Sequence, residues 1–575
     1  PRIFIAANSG ARIGLAEEVK RLFRVKWCVD EDPQSGVAFL YLTREDYERV
    51  KEEVKAHPVT LQNETVYQID AIIGKEPDLG VENLAGSAMI AGETSRAYRD
   101  VVTMTIVSGR SVGIGAYLVR LGQRTIQKAA DAPILLTGYE ALNHLMGKKV
   151  YSSNDQLGGT GIMCPNGVTH VKVDNDYEAV SAMMRWLSFI PRTNRAELVP
   201  QPLSSTVDVI DRDVTVTLSR DPYDIRSLLC GVERDGEWES GLFDRGSFME
   251  VLVDWAKTVV AGRARLGGIP VGVIATESRT VESVVPADPA MPQSEELVTQ
   301  QAGGVWYPDS AYKTAQAIQD INQEGLPLFI VANWRGFSGG ARDMFREVLK
   351  YGSFIVDQLV QFRQPVFVYI PAYAELRGGA FVVVDPHIND DVMEMYADSR
   401  ARAGVLEPTG VVSIKYRKED KRRTMERNDA VLRCLNAKLS RVVGEERLSQ
   451  VAGEDMLEQM TGERQKIQEK IEDRQKTQEE IENRQKELET PYQQVAEVFA
   501  DLHDGAERMK AMGVIRAIVD MEQSRHFFYW RLRRRLLQMK IEREIVAVSG
   551  RSMREAQTLV EEWYKQSNQY RFSHC

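Results

Sequence analysis

Cysteine is scarce in this chain: Cys28, Cys164, Cys230, Cys434 and Cys575 are the only five among 575 residues, an odd number with no Cys-x-x-Cys pair. That usage excludes a disulfide framework and a zinc ribbon, and it points to a reducing compartment, taken here as the cytoplasm. Histidine is also sparse. His57, His144, His170, His387, His503, His526 and His574 show neither His-x-x-x-His nor His-Glu-x-x-His spacing, so no metal is expected. There is no surplus of positive charge, because 73 Lys and Arg face 83 Asp and Glu for a formal net charge of -10. A protein that coats nucleic acid or an anionic membrane is thereby disfavoured. No run of about 18 apolar residues occurs, and no basic segment leads into an apolar one, so neither membrane insertion nor a signal peptide is expected. The Ser338 turn, Gly336-Phe337-Ser338-Gly339-Gly340, resembles a nucleophile elbow only loosely, and Ser338 is not taken as a nucleophile. An initiator methionine is missing too. Pro1-Arg2-Ile3-Phe4-Ile5-Ala6-Ala7 opens directly in a buried-strand pattern, so the sequence is expected to be a piece of a longer chain.

Apolar residues make up 43% of the sequence, enough to fill the two or three cores that this length demands. Short β-branched runs alternate with helical spacing, the pattern of an α/β protein. In the first block residues 3–7 read as a strand, 15–23 as a helix, 30–64 as a polar surface region, 101–107 as a strand, 112–121 as a helix, 133–136 as a strand and 138–146 as a helix. Pro191, Pro200, Pro202 and Pro222 punctuate the next stretch and mark a boundary. In the second block strands flank Leu266-Gly267-Gly268, residues 310–323 have helical spacing, 328–332 and 366–370 read as strands, and 342–362 as one long helix. The expected domains are 1–195, 196–440, a charged helical insert at 441–490, and C-terminal helices at 491–575 that pack back on the second block. The insert repeats Arg-Gln-Lys at Arg464, Arg474 and Arg484 over a thin stripe of Ile467, Ile471, Ile481 and Leu488, which suits a solvated helix or helical hairpin rather than a long coiled coil.

The two blocks share one plan. Ile5-Ala6-Ala7-Asn8-Ser9-Gly10 and Ile330-Val331-Ala332-Asn333-Trp334-Arg335-Gly336 both leave a strand for a turn. Arg110-Ser111-Val112-Gly113-Ile114-Gly115-Ala116 and Glu375-Leu376-Arg377-Gly378-Gly379-Ala380 both pass from strand to helix through glycine. This is the image of two related lobes. At such a turn the first helical N–H groups face open space, and the helix dipole adds positive potential, so the turn can hold an oxyanion. The two candidate turns are Gly113–Gly115 and Gly378–Gly379. Arg335, in the Trp334-Arg335-Gly336 turn, has a guanidinium suited to gripping a carboxylate bidentately. Lys415, Arg417 and Lys418 form a cationic cluster suited to phosphates.

These segments, in this order, resemble the carboxyltransferase domain of eukaryotic acetyl-CoA carboxylases, with wording closest to fungal forms. Tyr151-Ser152-Ser153-Asn154, Val305-Trp306-Tyr307-Pro308-Asp309-Ser310, Met395-Tyr396-Ala397-Asp398 and Met512-Gly513-Val514-Ile515 support the match, which runs from Pro1 to about Leu537. The family's first lobe normally begins with further strands upstream of Pro1. The resemblance implies a crotonase-like ββα superhelix in two lobes with a C-terminal helical extension. It also implies a ligase-class activity, in which the carboxyl group of carboxybiotin passes to acetyl-CoA to give malonyl-CoA, the first committed step of fatty acid biosynthesis. Gly379 would then serve the hole facing biotin, Gly113 the thioester side and Arg335 a carboxylate, with Arg110, Lys415 and Arg417 contacting CoA. The implied partners are a second copy, the active site lying between the first lobe of one subunit and the second lobe of the other, and the biotin carboxylase and biotin carboxyl carrier domains of the same longer chain. Lys510, in Met509-Lys510-Ala511, lacks the Met-Lys-Met setting of a biotinylated lysine, so biotin must arrive from elsewhere. Two other readings stand beside this one. A hydratase or acyl-CoA decarboxylase of the same fold could use Glu375 and Glu93 on a water, and a non-catalytic scaffold could be built around the long insert.

Overall fold

The computed structural model describes residues 1–191, 208–452 and 460–572. The expected boundary at 195/196, Pro200, Pro202 and Cys575 fall outside the described residues. In the first lobe, Arg2–Asn8, Thr103–Val112, Arg124–Lys128 and Val171–Val173 form a parallel sheet, with Ile134–Leu135 pairing to the far end of Thr103–Val112. In the second lobe a seven-stranded sheet runs in the order Met249–Val251, Val259–Leu266, Ile269–Thr276, Leu328–Val331, Val366–Ile370, Met393–Ala397, Ala517–Ile518. Its central strands Leu-Phe-Ile-Val and Val-Phe-Val-Tyr-Ile are buried along their whole length. Parallel strands covered on both faces read as continuous apolar runs for this reason.

Two expectations change. Residues 30–64, taken as polar surface, belong to a four-stranded antiparallel sheet of Arg24–Val29, Asp32–Leu42, Glu64–Ile72 and Val54–Leu61. Only a small core lies beneath it, around Val19, Leu42, Val50 and Val54, and most of its side chains stay exposed or half-buried, which blurs the strand pattern. The single helix expected at 342–362 is two, Ala341–Phe345 and Val348–Val360, broken where Glu347 takes a φ of 68°. The described parts of the charged insert, expected as a helix or helical hairpin, lie in the paired helices Ala430–Ala452 and Met460–Asp501, pinned by Lys438–Asp473 and Arg484–Asp429 ion pairs. The helix Ser524–Ser549 lays Phe528 among Phe329, Phe367, Tyr369 and Tyr396 of the second lobe. The arginine run read as a helix face is divided: Arg531 pairs with buried Glu394, whereas Arg534 lies over the Tyr564 ring.

The helix Pro308–Glu324 joins the lobes. It starts at a proline and stops at Gly325, which adopts a left-handed conformation. From the first lobe, Tyr98 Oη donates to Asp320 (2.8 Å), Arg124 Nε to Glu324 (2.5 Å) and Trp186 Nε1 to Glu324 (3.2 Å). From the second lobe, Arg263 donates to both Glu324 oxygens, at 2.9 and 2.7 Å. Burial opposes the Glu324 charge, but Arg263 and Arg124 outweigh it and hold the carboxyl below its usual range. Such a group stabilises the fold above its unfolded pKa of about 4.3. That contribution disappears as pH falls through the depressed folded value. Glu324→Gln is therefore expected to cost about 3–5 kcal/mol at pH 7. Urea unfolding at pH 7 and pH 3 checks it: the gap between variant and wild type should narrow in acid.

Candidate active site

Each lobe builds a strand–glycine–helix corner from the same parts. In the first, strand Thr103–Val112 ends against Ile134–Leu135, Gly113 turns the chain with φ 59° and ψ -120°, and helix Ile114–Leu121 begins. In the second, strand Glu375–Arg377 ends against Arg402–Gly404, Gly378 turns with φ 51°, and helix Gly378–Val382 begins. A methyl on Gly113 would face the Leu136 carbonyl at 3.9 Å, and one on Gly378 would face the Val405 carbonyl at 3.1 Å. The backbone thus requires glycine at both places, and it aligns Gly113 with Gly378. Gly379 then matches Ile114.

This register corrects the expectation for Gly113. Its own N–H donates to the Leu135 carbonyl at 2.8 Å, so it closes the sheet and is not free for a ligand. The next amide, that of Ile114, opens the helix, where no preceding turn supplies it with a carbonyl. Sequence reasoning passed over Ile114 because isoleucine carries no signal for a backbone role. Positive φ at Gly113, the telling feature, shows only in coordinates. Gly379, in contrast, is solvent-exposed at the start of its helix, and a methyl there would meet nothing closer than Phe337 Cδ2 at 3.8 Å.

Arg335 shares the second corner. Its N–H donates to the Gly304 carbonyl, the Arg377 N–H donates to the Trp334 carbonyl (2.9 Å), and the Glu375 N–H donates to Asn333 Oδ1 (2.9 Å). Beneath the turn the Trp306 and Trp334 rings stack at 4.0 Å, with Phe337 stacked on Trp306 at 5.0 Å. This platform fixes the backbone and leaves the side chain exposed. No carboxylate among the described residues pairs with Arg335, which distinguishes it from Arg377, paired with both Glu375 and Asp504. Glu375, a candidate for handling water, accepts from Arg377 Nε at 3.1 Å and is committed to that contact. Glu93 pairs with Arg96 on an exposed helix face.

Arg110 is exposed beside the first corner, its Nη2 3.4 Å from Ser9 Oγ. Lys415 and Arg417 are exposed at the junction of helices Pro408–Lys415 and Lys418–Asn428, again with no carboxylate partner among the described residues. The first of these helices begins three residues after Val405, the back wall of the Gly378 corner. The structure therefore brings Arg335, Gly379, Lys415 and Arg417 onto one lobe and Gly113 and Arg110 onto the other. Their hydrogen bonds form two separate sets. Among the described residues no cluster of three His, Cys, Asp or Glu side chains is placed to hold a metal ion, and no helix is long and apolar enough to cross a membrane.

The chain belongs to the carboxyl transferase domain family, whose profile matches residues 1–536. It is 49% identical to acetyl-CoA carboxylase of Schizosaccharomyces pombe over 575 residues, covering 98% of this chain and 24% of that protein. It is 50% identical over 544 residues to a Saccharomyces cerevisiae protein named acetyl-CoA carboxylase, mitochondrial, covering 93% of this chain and 23% of the relative. The chain thus spans about a quarter of the length of these relatives. Transcarboxylase 12S, solved with methylmalonyl-coenzyme A and methylmalonic acid bound, superimposes with a TM-score of 0.55 at 17% identity, over 80% of this chain and 70% of that one. That likeness shows the crotonase-like fold.

Proposed function

We propose that this chain carries out the carboxyl-transfer half of acetyl-CoA carboxylation, passing a carboxyl group to acetyl-CoA to give malonyl-CoA within a longer, ligase-class enzyme of fatty acid biosynthesis. One observation carries the reading: two matched corners each open a helix with first-turn backbone amides, and the one in the second lobe is flanked by an exposed guanidinium with no acid partner among the described residues. Carboxybiotin, delivered by a carrier domain of the same longer chain, supplies the carboxyl group. The Gly379 corner fits it, because an open glycine amide and Arg335 together suit a planar carboxylated ring.

Each residue then has a task set by charge. Removing a proton from the acetyl thioester places negative charge on its carbonyl oxygen, which the Ile114 amide beyond Gly113 is turned to receive. The Gly379 amide stabilises the oxygen that gains charge at the other end of the transfer, and Arg335 holds the travelling carboxylate in line. Lys415, Arg417 and Arg110 bind the CoA phosphates. A second copy completes the site, the first lobe of one subunit facing the second lobe of the other. Exposed Tyr117 and Leu136 near the first corner and Val382 and Val405 near the second support this arrangement, since apolar side chains rimming a polar site suit coverage by a partner. We place the enzyme in the cytoplasm, in keeping with the unpaired cysteines among the described residues.

The reverse reaction tests the proposal. Malonyl-CoA-dependent carboxylation of biocytin by the purified protein is expected. Hydration of an enoyl-CoA without that activity would favour the hydratase reading instead. The CoA assignment has its own readout: Lys415→Ala with Arg417→Ala is expected to raise KM for malonyl-CoA about tenfold with kcat little changed, because exposed phosphate contacts bind ground and transition states alike. Added salt should raise the wild-type KM and leave the double variant's nearly flat.

A further inference from the structure

Arg377 immediately precedes the Gly378–Gly379 corner and is almost wholly buried, its side chain 2% exposed. Its Nε donates to Glu375 (3.1 Å), and its Nη1 donates both to the Leu406 carbonyl (3.1 Å) and to Asp504 Oδ2. Its Nη2 has no acceptor. Asp504 comes from a distant part of the chain, just after helix Met460–Asp501, the longer arm of the charged hairpin. Its backbone carbonyl accepts from the Ala403 N–H at 2.9 Å. The acid therefore grips both members of the short strand pair Glu375–Arg377 and Arg402–Gly404, one through a side chain and the other through backbone. The pair crosses directly over Gly404, where a methyl would lie 2.7 Å from Asp504 Oδ1 and 2.8 Å from Arg377 Nη1. A neighbouring contact, Arg402 Nε to Asp501 Oδ2 at 3.0 Å, ties the same strand to the last residue of the helix.

A buried ion pair with one donor unsatisfied is a poor way to stabilise a fold, because desolvation offsets most of the attraction. It is a good way to fix direction. The fork of Arg377 holds the residue before Gly378 against two strands and a helix end, so the Gly379 amide can point only one way.

We infer that Arg377 and Asp504 are a positioning pair for the Gly379 oxyanion site, and that through them the end of the long charged helix sets turnover there. Neither side chain touches substrate. The inference rests on the carboxyltransferase reading and adds to it a connection from the hairpin to the chemistry.

The test uses the biocytin reaction in the whole protein with Arg377→Lys, Asp504→Asn, the double variant, and Asp504→Glu. Both single variants keep a polar group of similar size, and each is expected to lower kcat on the order of 10- to 100-fold by misplacing the amide. KM for malonyl-CoA and for biocytin should stay within about twofold of wild type, the mark of a contact felt only in the transition state. The double variant should lose no more than the worse single one, because both remove one link. Asp504→Glu should recover part of the rate. A folded Asp504→Asn protein with wild-type kcat overturns the inference, as does a double variant whose losses multiply. The two failures separate cleanly: an inactive wild type sinks the carboxyltransferase reading and this inference with it, whereas an active wild type with indifferent variants sinks only the inference.

Discussion

Gly379→Pro is expected to lower kcat by about 10²- to 10³-fold, the loss that follows removal of one oxyanion donor. Proline has no N–H, and the first turn of a helix is where it is best tolerated, since no intrahelical hydrogen bond is lost there. Gly379→Ala is the paired control. Its methyl would find only Phe337 at an ordinary 3.8 Å, so the corner should keep its shape and its donor, with kcat within a fewfold of wild type. In the first lobe Ile114→Pro should act like Gly379→Pro, because Ile114 opens helix Ile114–Leu121, where its amide has no carbonyl from a preceding turn. Circular dichroism and the oligomeric state should match wild type in all three. A Gly379→Pro protein that turns over normally would mean that this amide holds no developing charge.

The second large effect is expected at Arg335. Its turn is held by the Gly304 carbonyl and by the Trp306–Trp334 stack, and no acid among the described residues competes for the guanidinium. Arg335→Ala should therefore leave the fold undisturbed and reduce kcat/KM by about 10²- to 10³-fold, as loss of a desolvated, charge-assisted carboxylate contact does. Arg335→Lys should recover little, because an ammonium cannot reproduce the planar two-point grip. Steady-state kinetics of the biocytin reaction measure both. Near-complete rescue by lysine would replace the bidentate contact with simple charge.

These effects show what a sequence can display. The corners were legible because a strand pattern, a glycine and a helical pattern follow one another closely at Thr103–Leu121, and a short strand runs through paired glycines into a helix at Glu375–Val382. Arg335 was legible for the same local reason. The donor register was not, since choosing between Gly113 and Ile114 depends on a hydrogen bond to Leu135, twenty-two residues onward. The sheet at 24–72 escaped because its strands face only a small core and most of their positions stay exposed or half-buried, so no clean alternation marks them. The network around Glu324 unites Tyr98, Arg124, Trp186 and Arg263, partners too far apart in the chain for any periodicity to connect. Asp504 belongs to the same class: its role depends on a crossing that only the folded chain makes.

One carboxyl transfer, in this account, needs both corners, one from each of two subunits. Mixed dimers measure that directly. Gly379→Pro and Ile114→Pro subunits, each inactive alone, are coexpressed and their biocytin carboxylation is compared with wild type. Half of randomly paired dimers would be mixed, and each of these would hold one site with two intact corners, so about a quarter of wild-type activity is expected. A mixture as inactive as either parent, with mixed dimers demonstrably present, would contradict the account.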